Sequence, residues 1–206
     1  MKLLMMGPQG CGKGTIGEML SIKLNIPIIS TGHTLRTMPK EHPRYKEITD
    51  LIAGGNLAPQ DFIAELLRDR VSKPDCASGF IFDGWGRKKI DLEYFDPGFD
   101  KVIFLKISPE TAIARLSGRR TCRKCGKIYN VVTAPPRVAD VCDVCGGELY
   151  QREDDTEEGI RKRLAVFYSD TQEVLEGFRA KGILIEIDAE PSPDSVFESV
   201  LKALEV

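Results

Sequence analysis

The run Met5-Met6-Gly7-Pro8-Gln9-Gly10-Cys11-Gly12-Lys13-Gly14-Thr15 constrains the fold of this chain more than any other stretch. Glycine loses the most backbone freedom on ordering, so four glycines in eleven residues answer a geometric demand that side chains would obstruct. A short apolar run, Lys2 to Met6, precedes the loop, and a helical pattern from Gly14 to Leu24 follows it. Strand, glycine loop and helix in that order make an anion cradle. Backbone N–H groups converge where no Cβ intervenes, and the helix N-terminus adds partial positive charge. Lys13 supplies a mobile full charge suited to β and γ phosphates. The expected ligand is a nucleoside triphosphate, with Gly10, Cys11, Gly12, Lys13, Gly14 and Thr15 around its phosphates. The competing reading is a plain strand-to-helix turn, and the spacing of Gly7, Gly12 and Lys13 argues against it. Cys11 reads equally as a small buried side chain.

Further apolar runs bounded by breakers predict buried parallel strands at Gly79 to Phe82, Lys101 to Ile107 and Ile183 to Ile187, with Pro27-Ile28-Ile29 as a short fifth. Helical spacings at Gln60 to Val71, Pro109 to Leu116 and Thr156 to Arg179 lie between them. Alternating strands and helices predict an α/β three-layer fold, a parallel sheet between helices. Two segments interrupt the alternation: residues 30–58, read as short helices, and residues 118–155, read as a small inserted module. The core is then formed by residues 1–29, 59–117 and 156–206. At 206 residues the chain suits one well-cored domain with insertions.

The second segment carries Cys122-x2-Cys125 and Cys142-x2-Cys145, each pair followed by glycine. Four thiolates at this spacing predict a structural tetrahedral Zn2+ site, with no open position for substrate. Iron also suits four cysteines. A net charge of -2 excludes a broad basic field for nucleic acid, leaving only the local run Arg119, Arg120, Arg123, Lys124 and Lys127. The apolar start, Met1 to Met6, is too short for a secretory signal and no segment has the uninterrupted apolar length of a membrane span, from which a cytoplasmic location is expected.

Most phosphate loops place Ser or Thr directly after the lysine, whereas Gly14 stands there in this chain and Thr15 follows. The pattern G-x-x-G-x-G-K-G-T resembles the loop of the adenylate kinase family, and four more segments match that family in order. Ser30-Thr31-Gly32-His33-Thr34-Leu35-Arg36 resembles its S-T-G-D-x-L-R, and Asp83-Gly84-Trp85-Gly86-Arg87 its D-G-F-P-R. Gly118-Arg119-Arg120, and Arg152-Glu153-Asp154-Asp155 with Arg161-Lys162-Arg163-Leu164, resemble the edges of its lid. The resemblance implies a phosphate-loop core, a monophosphate-binding insertion at 30–58 and a zinc-bearing lid at 118–155. It also implies reversible transfer of the γ phosphoryl of Mg·ATP to AMP, giving two ADP, with nucleotides as partners and a monomer as the usual state.

By the same resemblance, Thr31, Arg36, Gly84, Arg87 and Asp91 serve AMP, together with Arg152 and Arg163, which close over the transferring phosphoryl group. Lys13, Arg87, Arg119, Arg152 and Arg163 are the implied catalytic cations, with Arg115 against the base of ATP. Arginine suits this work because its guanidinium stays charged and grips two oxygens at once. Asp83 reads as organising the water shell of Mg2+ or as a turn carboxylate. Asp154 and Asp155 read as orienting the lid arginines or as capping the next helix.

Two departures bear on the substrate. His33 stands where the family has Asp, which alters metal handling or marks a surface imidazole. Asp91 stands where the family has a glutamine that both donates to and accepts from adenine. A carboxylate only accepts, so this position implies relaxed or altered choice among AMP, GMP, CMP and UMP, or else an outward-facing turn residue. Rival readings are a nucleotide-regulated switch, and a zinc ribbon that binds nucleic acid through its basic knuckle.

Overall fold

The computed structural model describes every residue except 37, 54–57, 153 and 154, together with the side chains of all of these but 36, 52 and 53. Five parallel strands form the main sheet: β1 (Lys2–Met6), β2 (Ile28–Ser30), β3 (Phe80–Asp83), β4 (Lys101–Lys106) and β8 (Leu184–Asp188), in the order β2-β3-β1-β4-β8. The five expected strands are all present, with ends displaced by a residue or so. Along β1 the side chains alternate between two cores. Leu3 and Met5 join Ile81, Ile103 and Leu105 on one face, and Leu4 and Met6 join Phe82, Val102 and Phe104 on the other. A sheet buried on both faces needs apolar residues at every position, which is why its strands read as continuous hydrophobic runs.

The first face is covered by α1 (Lys13–Leu24) and α8 (Pro193–Leu204), the second by α4 (Gln60–Val71) and α7 (Glu157–Ala180). The sequence reading omitted α8, although its signals are local. Pro193 occupies the first turn, the Ser192 hydroxyl accepts from the Ser195 N–H at 3.4 Å, and Val196, Val200 and Leu204 recur on the buried side. Residues 30–58 hold the expected short helices, α2 (Thr31–Arg36) and α3 (Tyr45–Ala53). They gather around Met38, Ile48, Ala58 and Phe62. Two further short helices are α5 (Lys89–Tyr94) and α6 (Pro109–Ser117).

Residues 119–150 hold a separate antiparallel sheet in which β5 (Arg119–Cys122) lies between β6 (Ile128–Asn130) and β7 (Leu149–Tyr150). Its interior consists of Cys122, Tyr129, Cys142 and Leu149, with Cys125 and Cys145 against them. The small sheet touches the rest of the molecule at several places, among them Asn130 Nδ2, which donates to the Arg115 carbonyl on α6 at 2.8 Å. Lys127 Nζ lies 2.6 Å from Glu18 Oε2 on α1, and a Cβ built on Gly126 would stand 3.4 Å from His33 Nδ1 on α2.

In the main sheet, register brings the working ends together. Met5 pairs with Asp83, Ser30 pairs with the same Asp83, and Met6 pairs with Phe104. The glycine loop therefore leaves the carboxyl end of the central strand, where open α/β sheets bind ligands.

Candidate functional site

The loop between β1 and α1 takes its shape from glycines that side chains could not replace. Gly7, Gly10 and Gly12 have φ of 146°, 85° and 94°. A Cβ on Gly7 would stand 2.6 Å from both Cys11 Sγ and the Leu105 carbonyl oxygen. Gly12 is the N-cap of α1 and offers no side-chain acceptor, so the first turn of that helix keeps its N–H groups toward the loop. Around Gly12 and Gly14 a Cβ would meet nothing within 4 Å, leaving open space over that helix end. Lys13 Nζ donates to the carbonyls of Gly7 at 2.7 Å and Pro8 at 2.9 Å, and approaches Cys11 Sγ at 3.5 Å. Cys11 is 2% exposed and fills the underside of the loop.

Met5, Met6, Gly7 and Lys13 share one cleft with Gly84, Trp85, Arg87 and Phe167. Asp83 ends β3 at its rim, level with Met5 and Ser30. The next turn again depends on glycine. Gly84 has φ 90°, and a Cβ there would stand 3.2 Å from Arg87 Nη2. Thr31 opens α2 beside it, buried, and among the described residues its hydroxyl has no hydrogen-bond partner. Arg36 ends the same helix, and its side chain lies outside the description.

Asp91 corrects the outward-facing alternative. It is 6% exposed, and its Oδ2 accepts from the backbone N–H groups of Arg87 at 2.9 Å and Lys88 at 3.0 Å. Burial pushes its carboxyl above the usual range, and those two backbone donors pull it part of the way back. His33 is exposed, with its ring beside Gly126 of the small sheet.

A second group of cations gathers between the small sheet and α7. Asp155 has a side chain that is 0% exposed. It takes Arg119 through two parallel bonds, Nε to Oδ2 at 2.8 Å and Nη2 to Oδ1 at 2.7 Å, and takes Arg163 Nη2 on Oδ1 at 2.8 Å. One buried carboxylate thus fixes two guanidinium groups, geometry that lysine cannot offer. Of its two sequence readings, Asp155 follows the orienting one, because the cap of α7 is Thr156, whose hydroxyl accepts from the Gly159 N–H at 3.1 Å. Arg152 Nε donates to the Thr121 hydroxyl at 3.3 Å. Asp154 lies outside the described residues.

Arg115 holds two carbonyls, Ala189 through Nη1 and Glu190 through Nη2, both at 3.0 Å. Glu190 returns the contact: its carboxylate accepts from the Ser108 N–H and the Thr111 hydroxyl at the start of α6, each at 2.6 Å. The Thr111 hydroxyl, then the Ser108 N–H, hold the Glu190 carboxyl below its ordinary range. The sequence reading missed Glu190, since nothing local links it to residues some eighty positions away.

The four cysteines converge as their spacing predicted. Their sulfurs lie within 4.8 Å of one another, with Cys122 to Cys145 at 3.5 Å and Cys125 to Cys142 at 3.6 Å. A tetrahedron with bonds of about 2.3 Å has edges of about 3.8 Å, so the donor set fits a metal. Tyr129, another residue the sequence reading passed over, accepts from the Asp143 N–H at 2.9 Å and so aims its own proton at Cys142 Sγ, 3.5 Å away. That hydroxyl draws the Cys142 thiol down to about 6, toward the thiolate that a metal requires.

Comparison with known proteins agrees with this geometry. The family model described as adenylate kinase matches residues 5–183. An adenylate kinase of Caldicellulosiruptor bescii is 40% identical over 212 aligned positions that cover 99% of both chains. One from Methanocella arvoryzae is 42% identical, covering 99% of this chain and 98% of the relative. One from Archaeoglobus fulgidus is 37% identical, covering 100% and 98%.

Proposed function

The chain belongs to the adenylate kinase family, and from that premise we propose how its residues divide the work of an ATP:AMP phosphotransferase. The enzyme transfers the γ phosphoryl of ATP to AMP and runs in both directions. One observation carries the division of labour: Lys13 of the phosphate loop and Arg87 of a separate motif line the same cleft. Two phosphate-binding cations from different elements suit two phosphorylated substrates meeting end to end. Phosphoryl transfer needs mainly such positioning, and neutralisation of charge on the equatorial oxygens.

In this reading the N–H groups of the first turn of α1 hold the β and γ phosphates. Lys13 exchanges the Gly7 and Pro8 carbonyls for phosphate oxygens. Arg36 and Arg87 grip the monophosphate. Arg119 and Arg163, aligned by Asp155, close with Arg152 over the transferring group and, in the low dielectric of a closed site, act more strongly than in water. Arg115 has its edge tied to two carbonyls, which leaves the face of its guanidinium for the base of ATP. Asp83 would hold Mg2+ through its water shell, an oxygen donor suited to that hard ion. Carried in with ATP, Mg2+ would supply positive charge to offset that of the phosphates.

The same reading assigns residues 30–58 to the monophosphate and residues 118–155 to a lid whose four thiolates hold Zn2+ as a structural ion. Reduced thiols serving a metal suit the cytoplasm; among the described residues, no helix is long and apolar enough to cross a membrane. Every arginine in this reading comes from one chain, which supports a monomer acting on small nucleotides. The test is Lys13→Ala in a coupled assay of ADP formed from ATP and AMP. Loss of about 10³-fold in turnover with an unchanged melting temperature is expected, and retained turnover would refute the assignment.

A further inference from the structure

We infer that Asp91 positions Arg87 for the phosphate of the monophosphate substrate and does not read that substrate's base. The inference rests on the reading above that Arg87 grips the monophosphate.

The segment from Gly84 to Lys88 is hard to hold in one shape. Gly84 and Gly86 both have positive φ, 90° and 66°, and neither has a side chain with which to anchor itself. Yet this segment must aim Arg87 into the cleft. Among the described residues, no protein acceptor holds the Arg87 guanidinium, so its direction is set by its backbone. That backbone is fixed from Asp91. Its Oδ2 takes the N–H groups of Arg87 and Lys88 together, while its own N–H donates to the Lys88 carbonyl at 3.1 Å. The closed turn is braced on both sides. Trp85 Nε1 donates to the Phe95 carbonyl at 2.9 Å, and Lys88 Nζ lies 3.1 Å from Asp170 on α7.

These contacts leave Asp91 poorly placed for a base. The residue is 6% exposed, and one of its oxygens already accepts two donors. A carboxylate turned toward solvent could choose among bases by their amino groups, because it can only accept. A carboxylate spent on the backbone before the monophosphate arginine acts on the phosphate, which AMP, GMP, CMP and UMP share. The two roles predict different patterns of loss. A turn clamp changes the KM of all monophosphates by one factor, whereas a base contact changes their ratios.

The experiment compares the full-length protein with Asp91→Ala and Asp91→Asn, measuring kcat and KM for AMP, GMP, CMP and UMP at saturating ATP, and KM for ATP at saturating AMP. Asp91→Ala should raise KM for every accepted monophosphate by a common factor of about ten, the scale of one net hydrogen bond, while KM for ATP stays within twofold. Asp91→Asn should recover most of that loss, since its amide oxygen accepts the same two N–H groups. An AMP-to-GMP preference altered more than threefold in either variant would overturn the inference, as would an Asp91→Ala enzyme that folds and keeps its monophosphate KM. If the alanine variant fails to fold, asparagine decides alone: wild-type ratios with near-wild-type KM support the clamp, and shifted ratios refute it. Absence of AMP turnover in the unmutated protein would strike the parent reading instead, which separates the two failures.

Discussion

Phe82 and Cys142 are both almost fully buried, at 0% and 2% exposure, but their surroundings differ in kind. Phe82 lies in the middle of the main sheet, among the rings of Phe80, Phe95 and Phe99, with centroids 4.8, 6.2 and 5.7 Å away. Cys142 lies in a small sheet whose interior holds six residues, four of them cysteines. The apolar side chains of that module largely face solvent, among them Val132 at 79%, Val144 at 68% and Val138 at 62% exposure. The core holds itself together by removing apolar surface from water, at roughly 25 cal/mol per Å2. The cysteine module has little such surface, and under the proposed reading its fold depends on a metal held by its thiolates.

Metal removal is the most severe test of that contrast. A structural zinc site contributes on the order of 10–16 kcal/mol in small domains. A chelator should therefore abolish hydrogen-exchange protection at Tyr129 and Leu149 while the amides of Leu4 and Phe82 stay protected. Protection that persists in the small sheet after the metal is gone would erase the distinction. The reciprocal perturbation is Phe82→Ala, which should cost about 3–5 kcal/mol and lower the denaturant midpoint of the core as a single transition.

Smaller effects separate the polar ties of the two regions. Glu190 belongs to the core, joining the loop after β8 to α6, and its folded-state carboxyl is depressed by the Thr111 hydroxyl and the Ser108 N–H. Its contribution to stability is thus present above the ordinary carboxylate value of 4.5 and lost as pH falls through the depressed folded value. The melting temperature of wild type should exceed that of Glu190→Gln at neutral pH and converge with it in acid. A gap that stays constant with pH would show the charge to be irrelevant. Lys127 and Glu18, which join the cysteine module to α1, are 39% and 51% exposed. Lys127→Ala should cost only about 0–1 kcal/mol, read as a small, salt-sensitive rise in KM for ATP. A large effect would mean that the module is held to the core by this one pair.

Both regions were legible in the sequence wherever chemistry is set by near neighbours. The phosphate loop announced itself because glycines at fixed offsets are the only residues tolerant of φ 85° and 94° at positions 10 and 12. The cysteine pairs announced themselves because two residues between ligands is a property of a turn. The five core strands were found because a strand buried on both faces has no polar position, and α8 could have been, since Ser192, Pro193 and a four-residue apolar repeat stand in line.

Other roles were settled only by the fold. Asp155 and Thr156 are adjacent and equally able to cap a helix; which of them did so depended on Arg119, 36 positions away, arriving to claim the carboxylate. Asp91 looked like a choice between a base contact and an outward turn, and the fold buried it beneath the backbone of Arg87. Glu190 and Ser108 meet across 82 positions, and His33 meets Gly126 across a gap longer still. Sequence spacing encodes backbone geometry within a turn or two and the periodicity of burial. The partner of a polar side chain is decided by which distant segment the packed core brings within 3 Å, and no local pattern contains that distance.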